Sequence, residues 1–69
     1  MLDVYIKDGC PYCEKQLEVF KRKGIECKLY NVSVDAEALK RARDEFKADK
    51  VPVVVEDGIV RNIGFGGGG

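Results

Sequence analysis

Residues 6–20 read IKDGCPYCEKQLEVF, a pair of cysteines with two residues between them at the point where one hydrophobic rhythm gives way to another. Upstream, Leu2, Val4 and Ile6 alternate with Asp3, Tyr5 and Lys7, a strand pattern that Asp8 and Gly9 break. Downstream, Leu17 and Phe20 fall at helical spacing, with Glu14, Lys15, Glu18 and Lys21 on other faces. Gly24 supplies a helix stop. The pair therefore stands at a strand-to-helix junction. With Cys10 as the N-cap, Pro11 takes the first helical position, where its missing N–H costs nothing and its φ already fits. The amides of Tyr12 and Cys13 are then unpaired donors. A thiolate on Cys10 can accept them at the positive end of the helix. Because the thiolate is the nucleophile and such positions acidify a thiol, the Cys10 pKa is expected to be lowered. Lys7 and Lys15 would assist, and Asp8 and Glu14 would oppose. Cys13 lies one turn on. It is expected beneath Cys10 and less exposed, placed to attack a mixed disulfide formed at Cys10 and close the pair.

Working outward, Ile25, Cys27 and Leu29 alternate with Glu26, Lys28 and Tyr30, a second strand on whose apolar face Cys27 reads as a buried small hydrophobe. Ser33 or Asp35 caps a second helix, with Leu39, Ala42 and Phe46 as its apolar stripe. The charges in LKRARDEFKADK, residues 39–50, read as a solvated face with i,i+4 pairs such as Lys40–Asp44. VPVVVEDG, residues 51–58, is a short apolar run ending in an Asp57-Gly58 turn, and IVRNI returns from it. The first three elements form a βαβ unit, right-handed with parallel strands. The expected fold is α/β, in the order β-α-β-α-β-β, with a mixed four-stranded sheet. One domain spans residues 1–63, and residues 64–69 form a glycine-rich tail with no regular structure, disordered or a linker.

Composition narrows the function classes. Twelve basic and twelve acidic residues give a formal net charge of zero, so no global field draws the chain to nucleic acid or an anionic membrane. No apolar run approaches the ~18 residues of a membrane-spanning helix. MLDVYIK has neither the basic leader nor the long apolar stretch of a signal peptide. Three cysteines are an odd set, unlike a disulfide framework, and a reducing cytoplasmic location is expected. With no histidine, one chain cannot supply the four ligands of a structural zinc, so no metal site is expected within it. Two chains could share a metal or an iron–sulfur cluster through the C-x-x-C pair.

CPYC between a strand and a helix resembles the dithiol glutaredoxins of the thioredoxin-like fold. Lys7 stands three residues before Cys10, as in that family's K-x-x-C-P-Y-C. Residues 51–58 resemble its T-V-P-x-x-[FY]-[IV]-x-G segment, and GIECKLYNVSVD, residues 24–35, resembles its second strand. The resemblance implies Cys10 as nucleophile, Cys13 as resolving thiol and Pro11 as a supporting residue between them. It implies that Pro52 is a cis proline facing the thiols and that Val51 offers its backbone to a bound cysteinyl group. It places Lys7 and Tyr12 along a glutathione groove that Gly64 and Phe65 close. Glutathione is then the co-substrate, with no tightly bound cofactor, and disulfide-containing proteins are the substrates. Three departures bear on the electron donor and the surface. Lys50 stands where the family has Thr. NIGFGGGG, residues 62–69, carries no acid after its glycines, and its Gly-Phe resembles instead the glutaredoxin-like hydrogen donors of ribonucleotide reductase, which thioredoxin reductase reduces. The family's last helix has no counterpart, which would leave an apolar sheet face for a weak homodimer to cover, or a marginally stable monomer. The non-enzymatic alternative is a dimer bridging an iron–sulfur cluster through Cys10 with glutathione as co-ligand, against which Pro11 stiffens the site.

Overall fold

The computed structural model describes residues 2–64. The elements are β1 (Leu2–Ile6), α1 (Pro11–Lys23), β2 (Cys27–Asn31), α2 (Ala36–Lys40), a π-helical turn (Arg41–Glu45) continuing α2, β3 (Val53–Glu56) and β4 (Ile59–Ile63). The sheet runs β2-β1-β3-β4. β1 and β2 are parallel, while β1 with β3 and β3 with β4 are antiparallel. Element order and the mixed four-stranded sheet agree with the sequence pattern.

Local chemistry sets most boundaries. α1 ends at Gly24, whose φ of 69° is the left-handed conformation a glycine adopts without strain. Gly24 N–H donates to Lys21 O and Ile25 N–H to Phe20 O, the paired bonds of a Schellman stop. Asp35 caps α2, its Oδ1 accepting from the amides of Glu37 and Ala38 at 3.1 Å each. Of the two candidate caps, Asp35 takes the role, and Ser33 is engaged elsewhere. The β3–β4 hairpin turns on Asp57 and Gly58, both at positive φ (51° and 83°), the conformation of a type I′ turn. The register slips between Val54 and Val55, which leaves Arg61 as an extra residue on β4.

Packing departs from the pattern at four places. The alternation in β1 put Tyr5 on the polar side, yet Val4 and Tyr5 are 0% and 1% exposed. β1 is an interior strand and both of its faces are closed. Tyr5 stacks on its register partner Tyr30, centroids 4.9 Å apart, and meets Phe46 edge-on at 5.5 Å. Ala38 and Ala42 complete this layer from α2 and the π-helical turn. The second strand starts at Cys27 rather than Ile25, and as an edge strand it leaves Leu29 49% exposed and Cys27 only half-buried. The second helix widens after Lys40, Phe46 N–H bonding Arg41 O and Ala48 N–H bonding Ala42 O. Its i,i+4 ion pair is Arg41–Glu45 at 3.5 Å, not Lys40–Asp44.

Candidate dithiol site

Cys10 sits at the N-cap of α1 in extended conformation, with Pro11 in the first turn. The Cys13 amide donates to Cys10 Sγ at 3.3 Å. Both cysteines are free thiols. Each is only 3% exposed, so the expected gradient of exposure between them is absent. Both thiols belong to one packed cluster with Tyr5, Ala38, Ala42, Val51 and Val53, which covers the N-cap sulfur as fully as the one a turn later.

What separates the two sulfurs is electrostatics. Burial pushes the Cys10 thiol up, but the Cys13 side chain, the amides of Cys13 and Tyr12 and the Lys7 charge together hold it below its ordinary value. The Cys13 thiol is pushed up to about 11, first by burial and then by its hydrogen bond to Cys10 and the neighbouring charge. A Cys10 thiolate facing a protonated Cys13 that donates to it is the arrangement these shifts describe. Of the four charges that bracket the pair in sequence, Lys7 is the one that acts on Cys10. Lys15 has its ammonium 5.8 Å from the Tyr12 ring centroid, and the Asp8 carboxylate accepts from Asn31 Nδ2 at 2.7 Å. Cys27, pushed up by burial alone, stands outside the cluster that holds the pair.

The remaining expected residues gather around this pair to different degrees. The Val51-Pro52 bond is cis, and both residues are buried. Gly64, buried at φ 81°, donates its N–H to Pro52 O at 2.8 Å and accepts at its O from Asn62 Nδ2 at 2.7 Å. Phe65 and the glycines after it lie outside the described residues. Lys7 and Val51 line a groove of about 210 Å³ with an apolar floor that includes Val32, Leu39, Ala42 and Ala48. Its rim also carries Arg43, Lys50 and Asp49, which were legible only as helix-face and loop charges. The one sequence signal for Lys50 was its place before Val-Pro. Arg43 gave none, because the π-helical turn that carries it left no mark in the hydrophobic pattern. Tyr12 is partly exposed and does not line the groove. Neither cysteine lines this groove, nor a larger hollow of 570 Å³ between Tyr30 and α2. Among the described residues, no cluster of three or more His, Cys, Asp or Glu side chains could hold a metal ion. No described helix is long and apolar enough to cross a membrane.

A four-stranded sheet in this order, a thiol pair at the start of its first helix and a cis proline leading into β3 define a protein of the thioredoxin-like class. Solved structures agree: the thioredoxin-like protein BC3987 and a mutant of it each superimpose with a TM-score of 0.88 at 31% identity, over 94% of this chain and 88% and 86% of theirs. The Glutaredoxin family model matches residues 2–60, and the chain belongs to the glutaredoxin family. An uncharacterized glutaredoxin-like 8.6 kDa protein in the rubredoxin operon of Clostridium pasteurianum is 34% identical over 58 residues, covering 84% of this chain and 77% of that protein. The gene 56 protein of Mycobacterium phage D29 is 30% identical over 64 residues, covering 93% of this chain and 71% of that protein.

Proposed function

We propose that this chain is a thiol–disulfide oxidoreductase that reduces protein disulfides or glutathione mixed disulfides through Cys10 and Cys13. The observation that carries the reading is the opposed pair: one thiol lowered and its neighbour raised to about 11 across a shared hydrogen bond. The Cys10 thiolate attacks one sulfur of the substrate disulfide. That S–S bond breaks, and the departing thiolate takes a proton from solvent. A mixed disulfide at Cys10 carries no charge and no longer accepts from Cys13. Two of the causes that raise the Cys13 pKa are then gone, and its thiol deprotonates more readily. Cys13 attacks the Cys10 sulfur, the second substrate thiolate leaves, and two electrons have passed to the substrate.

The groove suits a substrate that carries an anionic group beside its reacting sulfur. Lys7, Arg43 and Lys50 rim it against the single acid Asp49. Glutathione, with its two carboxylates, fits that chemistry as the co-substrate that re-reduces the pair, becoming oxidised as two molecules join. Thioredoxin reductase is the alternative donor, by the resemblance of the Gly64-Phe65 segment. The reading places the protein in a reducing compartment, the cytoplasm, with no tightly bound cofactor.

The test is turnover on a small mixed disulfide, coupled either to glutathione with its reductase or to thioredoxin reductase. Wild type is expected to turn over and Cys10→Ser to be inactive. Cys13→Ser should retain activity on glutathione mixed disulfides, where glutathione itself can resolve, and lose activity on protein disulfides. Equal activity in Cys10→Ser and wild type would overturn the reading.

A further inference from the structure

The segment between β1 and α1 carries both the Cys10 thiol and the Lys7 charge that acts on it. Packing holds Cys10 but not the three residues before it. Lys7, Asp8 and Gly9 are exposed, and a side chain at Gly9 would meet nothing within 4 Å. Hydrogen bonds to the β2–α2 turn hold them instead. Val32 N–H donates to Ile6 O at 2.7 Å. Beyond that bond, Asp8 is fastened at two points: its amide donates to Ser33 Oγ at 3.0 Å, and its Oδ1 accepts from Asn31 Nδ2 at 2.7 Å. Asn31 is held in turn, because its Oδ1 accepts from Ser33 N–H at 2.9 Å. One donor and one acceptor partner fix the orientation of its side-chain amide. The Asn31 carbonyl accepts from the amides of Val34 and Asp35, and Asp35 is the cap of α2. One residue, through its side chain on one side and its backbone carbonyl on the other, thus ties the thiol segment to the start of the helix whose residues form the far wall of the groove.

We propose that Asn31, acting with Asp8 and Ser33, is a positioning residue that sets Lys7 at the groove and relative to Cys10. The inference rests on the disulfide-exchange reading of the site. The clasp does two things. It fixes the backbone on both sides of Lys7, so that the ammonium is presented to Cys10 and the groove rim rather than to solvent at large. It also ties the Asp8 carboxylate to the end of β2. Among the largest influences on Cys10, the titratable groups are Cys13 and Lys7. Opposite-charge attraction and hydrogen bonding are local here, so the effect of Asn31 on the sulfur must pass through Lys7.

The experiment compares the full chain with Asn31→Ala, Asn31→Asp, the exchanged pair Asp8→Asn with Asn31→Asp, and Asn31→Ala combined with Lys7→Gln. The readouts are the pH profile of iodoacetamide alkylation at Cys10, followed by peptide mass, and kcat and KM on a small mixed disulfide. Asn31→Ala is expected to move the alkylation midpoint upward and raise KM about threefold, the size of one exposed charge contact, with kcat nearly unchanged. Asn31→Asp, which sets two carboxylates face to face, should be worse. The exchanged pair should recover wild-type behaviour, since it remakes the bond with donor and acceptor reversed and leaves the local charge unaltered. In the Lys7→Gln background, Asn31→Ala should add nothing. An unchanged alkylation profile and KM in Asn31→Ala would sink the proposal. So would an exchanged pair no better than Asn31→Asp, or full additivity with Lys7→Gln. Alkylation needs no turnover. A chain that reduces no disulfide but whose Cys10 profile follows this pattern keeps the clasp and discards the oxidoreductase reading.

Discussion

The chemistry of the pair rests on how a few groups divide their influence between two equally covered sulfurs. Burial alone would raise both thiols, and it is the largest single influence on each. Cys10 escapes because a thiolate at an N-cap collects donors that no other helix position offers: the Cys13 thiol and the amides of Cys13 and Tyr12, with Lys7 adding charge. The side-chain bond from Cys13 stands first among the lowering influences and Lys7 last. Cys13→Ala is therefore expected to raise the Cys10 pKa more than Lys7→Gln does. Iodoacetamide rates at Cys10 measured from pH 5 to 10 check this: both variants should react more slowly than wild type near neutrality and converge with it at high pH, where every thiol is ionised. A Lys7→Gln shift larger than that of Cys13→Ala would contradict this ordering of influences.

At the scale of elements, α2 is a short helix that depends on its ends. Asp35 satisfies two of its free amides, and the π-helical turn carries its far end toward the groove. Asp35→Ala should cost about 1 kcal/mol, which lowers the melting temperature of a domain this size by roughly 4–8 °C. Because the helix forms a groove wall, while the groups that lower the Cys10 pKa are Cys13, Tyr12 and Lys7, KM should rise while the alkylation profile of Cys10 stays in place. Thermal denaturation and the two kinetic readouts, made on one preparation, test both halves. The ends of the elements were legible in the sequence where a local rule sets them. Pro11 after a capping cysteine, Gly24 at positive φ and the Asp57-Gly58 turn each declare themselves within a few residues. What sequence pattern missed was decided by distant packing. Tyr5 is buried because Tyr30, Phe46 and the alanines of the second helix close over its face, and nothing in its own alternation reports that. Leu29 is open because β2 is an edge. The π-helical turn adds one residue to a loop of the helix without disturbing the apolar stripe, so Arg43 reached the groove unannounced. Cys10 and Cys13 were legible by spacing, whereas the clasp at Asn31 joins residues 23 positions apart and leaves no local trace.

For the whole molecule, the same pKa shifts become a stability profile. Cys10 is lowered in the fold relative to its ordinary value of 9.0. Its contribution is absent at low pH, grows as pH rises from the lowered value toward 9.0, and is fully present above it. Cys13, raised from 9.0 to about 11, acts in the opposite sense. Below 9.0 both states keep its proton. Between 9.0 and 11 the unfolded chain loses that proton and the folded chain keeps it, so stability falls. Cys27 and Tyr5, both raised by burial, fall on the same alkaline side. The reduced protein should therefore be most stable near pH 9, with a gentle rise on the neutral side and a steeper loss beyond. The alkaline loss from Cys13 is about 3 kcal/mol at most, a large share of what a chain of 69 residues can hold in reserve. Urea midpoints measured under strong reductant from pH 6 to 11 would trace this curve. Cys10→Ser should flatten the neutral limb, and Cys13→Ser should leave only the shallower alkaline decline of Cys27 and Tyr5. A wild-type curve that falls steadily from pH 7, or an alkaline limb untouched by Cys13→Ser, would mean that the folded protein does not hold the two thiols at opposed values, and the division of labour between Cys10 and Cys13 would lose its physical basis.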